Sequence, residues 1–164
     1  MRIDAFSPEL LEKISKVRKS TLTFAPEAGS QRMRDVINKG LTEEDILRGA
    51  GLAFEGGWNK VKLYFMMGLP TETEEDMKGI AYLSEKIAER YYEIPKDKRN
   101  GKCQITASSS FFVPKPFTPF QWANMYSPEE YLGRAKIVND HMKQQLNHKS
   151  IKYNWHEAYT TVLE

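Results

Sequence analysis

The strongest constraint on this chain is a regular alternation of strand-like and helix-like segments. Runs rich in β-branched and aromatic residues centre near Leu22, Leu63 and Ala107. These centres lie about forty residues apart with a helical segment or two between each pair, which is the spacing of repeated βα units and a parallel sheet. The fold class expected is therefore α/β. Periodicity does not decide whether the sheet is open or curled into a barrel.

The strands are placed over residues 20–25, 61–67 and 104–113, with a short one over 151–155. Val61 to Met67 is nearly continuous in apolar residues, as expected of a strand covered on both faces. Helices start at capping residues. Thr42 precedes Asp45 by three positions, Thr73 precedes Asp76 likewise, and Ser127 is followed by Pro128 and Glu130. The apolar stripes that follow are Ile46, Leu47, Ala50 and Phe54; then Met77, Ile80, Ala81, Ser84, Ile87, Ala88 and Tyr91; then Tyr131, Ala135, Val138, Met142 and Leu146. A shorter helix carries Met33, Val36 and Ile37. Near the start, Ser7-Pro8 opens a helix with Leu10, Leu11, Ile14 and Val17, preceded by the tail of a strand at Ile3 to Phe6.

With 164 residues the chain suits one compact unit, taken as a single domain over 1–164. The formal charge of +2 is the difference between 24 basic and 22 acidic residues, mixed along the chain, so nothing points to nucleic acid. No apolar run approaches the ~18 residues of a membrane span and no signal-peptide layout opens the chain. A soluble, cytoplasmic protein is expected. The single cysteine, Cys103, allows no internal disulfide and no multi-thiolate metal site, and reads as a small buried hydrophobe.

In parallel βα folds ligands bind beyond the carboxyl ends of the strands. Three such ends are distinctive. Thr23-Phe24-Ala25-Pro26-Glu27-Ala28-Gly29-Ser30 places a carboxylate beside a small-residue turn, where Glu27 either accepts hydrogen bonds from a ligand or complements a helix dipole. Met66-Met67-Gly68-Leu69-Pro70-Thr71-Glu72-Thr73 allows a tight turn beside apolar side chains that either cover a flat ring or belong to the core. Phe112-Val113-Pro114-Lys115-Pro116-Phe117-Thr118-Pro119 fixes an extended path whose backbone groups are open to a ligand edge, or simply seals the mouth of the fold. Lys39, in Asn38-Lys39-Gly40, lies at a helix end. His141, His148 and His156 are scattered without a zinc-like pattern, and Gly49-Ala50-Gly51 falls inside a helix, where it cannot cradle phosphate.

In this order and spacing, the three strand ends resemble the second half of the radical S-adenosylmethionine (SAM) superfamily core, most closely the group containing methylthiotransferases and oxygen-independent coproporphyrinogen oxidases. The resemblance implies the second half of a partial TIM-like barrel. It implies SAM contacts for Glu27 (ribose or amino group), Lys39 (carboxylate), Met66 (adenine face) and the backbone of Phe112 and Val113 (adenine edge). It also implies a 4Fe-4S cluster held by a three-cysteine loop that has no match here, and in some members cobalamin. The expectation is thus a fragment lacking the cluster-binding half, inactive alone, of an enzyme of unknown substrate, with an exposed strand edge open to homodimerisation. Two other functions stay open: a non-catalytic α/β module for protein contacts, and a barrel enzyme acting on a phosphorylated small molecule.

Overall fold

The computed structural model describes residues 21–156. The expected strand at Ile3 to Phe6 and the helix opened by Ser7 lie outside the described residues. Four strands, β1 (Leu22–Glu27), β2 (Lys60–Met67), β3 (Gln104–Phe111) and β4 (Ile151–Trp155), form one parallel sheet in sequential order β1-β2-β3-β4. Between them run α1 (Gln31–Val36), α2 (Glu43–Glu55), α3 (Glu74–Glu93) and α4 (Pro128–Gln144), with single 3₁₀ turns at Lys96–Lys98 and His148–Ser150. The α/β class read from the sequence is the observed one. Parallel crossovers are right-handed, so a sheet wound in sequential order carries its helices on one face, as in a barrel wall.

That face holds the core. Val61, Leu63, Phe65 and Met67 of β2 and Ile105, Ala107 and Phe111 of β3 alternate inward. They meet Ile46, Ala50 and Phe54 of α2, Met77, Ile80 and Ile87 of α3, and Tyr131, Ala135 and Val138 of α4. Each of α2, α3 and α4 begins with a capping box, at Thr42–Asp45, Thr73–Asp76 and Ser127–Glu130, satisfying backbone donors that the first helical turn leaves free.

The opposite face differs from the sequence reading. β2 is not covered on both sides: Lys62, Tyr64 and Met66 are only half-buried, and Lys62 lies over the Tyr64 ring at 5.0 Å. In register with them stand Thr106, Ser108 and Ser110 of β3 and Lys152 and Asn154 of β4. Tyrosine and methionine read as core in a one-dimensional pattern, yet both tolerate a partly wet surface. Two further corrections are local. β3 ends at Phe111 and not Val113, and α4 ends at Gln144, leaving Leu146 beyond the helix and 87% exposed. Val36 likewise points outward at 40% exposure, while Met33 is buried.

Cys103 is 2% exposed in the main core, and burial pushes its thiol up to about 12. The thiolate is the reactive species, so a thiol reagent such as Ellman's should label this cysteine only as the protein unfolds. Stoichiometric labelling of the folded protein at pH 8 would contradict that placement.

Candidate functional site

The three strand ends converge. Ala28 and Met33 from the first, Leu69 from the second and Phe112 from the third form one buried cluster. Met66 packs against it half-buried, as do Ile37 and Phe120. Phe120 meets Phe112 edge to face, with ring centroids 6.2 Å apart. Of the residues singled out in the sequence, Met66 and Phe112 are thus brought together. Val113 packs instead against the main core. The Phe112 amide is already donated to the Met67 carbonyl at 2.9 Å, so it is the Phe112 carbonyl and the Val113 amide that face no strand partner there.

Glu27 and Lys39 form an ion pair, Nζ to Oε1 at 3.1 Å. The sequence reading gave each a separate role and did not pair them. Local geometry explains the meeting. β1 carries a bulge between Phe24 and Glu27, where Pro26 offers no amide to the ladder, and Glu27 ends the strand with φ of 67°. α1 stops in a Schellman turn. Asn38, at φ 53°, donates to the Asp35 carbonyl at 3.0 Å, and Lys39 donates its amide to the Arg34 carbonyl at 2.9 Å. Lys39 therefore sits just past the helix and reaches back to the strand tip.

A left-handed glutamate is strained by about 1–3 kcal/mol, whereas a part-exposed ion pair returns about 0–1 kcal/mol. The pair does not account for the strain. The left-handed conformation of Glu27 is instead held by the surrounding loop and helix.

The loop after Glu27 is clamped from two sides. The buried Arg34 guanidinium donates to the Ala28 carbonyl at 2.9 Å and to the Gln31 amide oxygen at 3.2 Å. Ser30 caps α1 by accepting the Met33 amide, and donates its hydroxyl to Asp76 at 2.6 Å. Asp76, 5% exposed, also receives both the Nε and a terminal nitrogen of Arg32, along with the Thr73 hydroxyl and amide. Burial alone would raise the Asp76 carboxyl, but the bonds from Arg32, Ser30 and Thr73 outweigh it and hold it well below the usual carboxylate range. Beneath this cluster the backbones of Gly29 and Gly79 touch: a Cβ built on Gly79 would lie 2.8 Å from the Gly29 carbonyl carbon.

The second strand end is a tight turn. Glu72 donates its amide to the Leu69 carbonyl at 3.1 Å, with Pro70 and then Thr71 at the corners, and Thr71 has φ of 66°. Proline followed by a positive φ is the type II pattern, whose second corner favours glycine. Arg32 donates to the Thr71 carbonyl at 2.7 Å. The Glu72 carboxylate accepts the Gly68 amide at 2.8 Å. Burial raises the Glu72 carboxyl to about 7, against the opposing pull of that amide and of Arg134 and Arg32.

Ser30, Arg32, Glu72 and Asp76 were not singled out by sequence reasoning as site residues. Asp76 was visible as the third position of a capping box, but its partners lie 44 and 46 positions away. The cleft bounded by Glu72, Met77, Arg134 and Ile137 lies between the start of α3 and α4 and includes none of the residues the sequence proposed. Among the described residues, no group of three or more histidine, cysteine, aspartate or glutamate side chains is placed to hold a metal ion. No helix among them is long and apolar enough to cross a membrane.

The chain is 39% identical over 121 residues to the uncharacterized protein MJ0966 of Methanocaldococcus jannaschii, a match covering 74% of this chain and 24% of that protein. The chain therefore spans about a quarter of that relative's length. Among solved structures it is similar to the arginine decarboxylase of Paramecium bursaria Chlorella virus, at TM-score 0.48 and 12% identity, over 93% of this chain and 38% of the other. Residues 1–83 match the model of the radical SAM superfamily. That match takes in the Glu27 turn, Lys39 and the Gly68–Glu72 turn, and with half of its 164 residues inside it the chain belongs to the radical SAM superfamily.

Proposed function

We propose that this chain supplies part of the SAM-binding wall of a radical SAM enzyme whose cluster-binding cysteines lie elsewhere in the same protein. The observation that carries this reading is the convergence of three strand ends on one apolar cluster beside the strained Glu27–Lys39 pair. The residues present suit SAM. Met66 offers a half-buried, polarizable surface to adenine, and the Phe112 carbonyl and Val113 amide, beyond the sheet ladder, suit its edge.

An amino acid end carries an ammonium and a carboxylate on one carbon. Inserted at Glu27 and Lys39, it would replace one ion pair by two, with the ammonium on Glu27 and the carboxylate on Lys39. Of the two roles open to Glu27, the amino-group contact is therefore favoured over the ribose. Lysine offers a point charge where arginine would offer a fork, so orientation at this end rests on the pairing as a whole.

The residues here do not suit the 4Fe-4S cluster, which is held by several thiolates, since the one cysteine, Cys103, is buried in the core just before β3. When bound, SAM and cluster together supply a 5′-deoxyadenosyl radical; the residues of this chain bind and orient the SAM. Membership of the methylthiotransferase and coproporphyrinogen oxidase group remains part of the proposal, resting on the Gly68–Thr73 segment and the proline-rich segment after Phe112.

A second reading, a surface for another protein, is favoured by Phe117 and Trp122, which stand 98% and 89% exposed after β3. The test separates the two. In the full-length protein, anaerobically reconstituted with iron and sulfide, Glu27→Ala and Lys39→Ala should each weaken SAM binding about tenfold or more, the value of a charge-assisted hydrogen bond. SAM binding unchanged by both substitutions would sink the first reading. A full-length protein that takes up no cluster and binds no SAM would favour the second.

A further inference from the structure

We infer that Arg32 is a positioning residue that locks the Glu27 loop and the Gly68–Thr71 turn into one rigid unit, an inference that rests on the proposed role of these loops as the SAM wall. Arg32 bonds the turn directly and the loop through Asp76, the carboxylate that Ser30 also holds. Its Nε and one terminal nitrogen hold the two oxygens of Asp76, and the same terminal nitrogen donates to the Thr71 carbonyl at 2.7 Å.

Each partner gives that bridge a purpose. Asp76 is buried at the first turn of α3 and is held there by Thr73, while Ser30 ties the same carboxylate to the loop that follows Glu27. The guanidinium is therefore fixed to both loops through one rigid carboxylate. Thr71 is the weak point of the second loop. A β-branched residue at φ of 66° occupies a corner that glycine fills without strain. Left unsupported, that corner would relax toward negative φ and turn the Leu69–Thr71 backbone away from Met66 and the cluster it packs on. The Arg32 bond to the Thr71 carbonyl opposes that relaxation from one side. The Glu72 bond to the Gly68 amide opposes it from the other. Asp76 positions Arg32, and Arg32 positions the turn; neither needs to touch the cofactor.

A purely structural role and a positioning role differ in what rescues the loss. If Arg32 acts by holding Thr71 in its strained corner, a glycine at 71 makes it dispensable. The experiment measures SAM dissociation constants and hydrogen exchange at the Glu72 amide in the full-length reconstituted protein, for Arg32→Ala, Thr71→Gly and the double variant. Arg32→Ala should weaken SAM binding about tenfold, the value of one charge-assisted hydrogen bond, and speed exchange at the Glu72 amide. Thr71→Gly alone should stay near wild type. In the Thr71→Gly background the loss caused by Arg32→Ala should shrink to about threefold or less, because glycine needs no support at positive φ.

Wild-type affinity and exchange in Arg32→Ala would overturn the inference, and so would an equal loss in both backgrounds. If Arg32→Ala does not fold, Arg32→Lys takes its place, since it keeps the charge but cannot reach both acceptors in a fork. If the wild-type protein itself binds no SAM, the functional reading falls, and exchange at the Glu72 amide in the same four proteins decides the positioning role alone.

Discussion

Gly29→Ala should destabilise the protein by about 3 kcal/mol or more, an overpacking effect at the upper end of what is usual because no side chain can move aside to relieve it. A Cβ at Gly29 would sit 2.4 Å from the Ile80 amide nitrogen, 2.7 Å from the Asp76 carbonyl oxygen and 2.8 Å from the Gly79 carbonyl carbon. All three are backbone atoms of α3. The loop and the helix must therefore separate, and separation breaks the Ser30 and Arg32 bonds to Asp76 as well. Two helical glycines supply the control. Alanine is the better helix former by about 1 kcal/mol, so Gly51→Ala, with nothing within 4 Å of its Cβ, should stabilise by about 0.5–1 kcal/mol. Gly79→Ala gains the same propensity but meets the Gly29 carbonyl at 2.8 and 2.9 Å, and should destabilise. Urea unfolding of the three variants checks the ordering. A Gly79→Ala protein as stable as Gly51→Ala would mean that the close approach of the two backbones does not exist.

Glu72→Gln should stabilise the protein at pH 8 and leave it nearly unchanged at pH 5. Burial raises the Glu72 carboxyl to about 7 in the folded protein, above its ordinary value near 4.5, so folding favours the protonated form. The contribution is fully present below about pH 4.5 and is lost as pH rises to about 7. A carboxyl displaced that far corresponds to on the order of 3 kcal/mol, and solvent reaching a half-buried group reduces that to about 2 kcal/mol. Glutamine carries no charge at either pH, and its amide oxygen can accept the same Gly68 bond. Asp76 has the opposite sign, because its depressed carboxyl loses stability only as the solution becomes acidic enough to protonate it, below about pH 4. A comparison between pH 5 and pH 8 therefore isolates Glu72. Parallel stability profiles for wild type and Glu72→Gln across that window would show that Glu72 is not held protonated.

The sequence carried the elements well because their signals are local. Capping boxes at Thr42, Thr73 and Ser127 span four residues each, and all three start helices in the structure. The strand ends were legible to within two residues: Gly68-Leu69-Pro70 follows β2 as expected, whereas β1 runs past Pro26 to Glu27 and β3 stops at Phe111, short of Val113. What could not be read was long-range. The Lys39 ammonium meets Glu27 because a bulge and a Schellman turn bring two ends round, and the Asp76 partners depend on a contact between glycines fifty positions apart. The burial of β2 was misjudged for a different reason. A run of apolar letters records composition, and a tyrosine or methionine on a half-wet face looks the same as one in a core.

The division of the sheet into a packed side and a hydroxyl-lined side also separates two kinds of evolutionary change. The residues that hold the helices against the sheet, such as Leu63, Ala107 and Val138, point one way, and Thr106, Ser110 and Asn154 stand in register on the other. Exchanging the second set leaves the packed side intact, so substitutions there should alter what that face can contact at little cost to the fold.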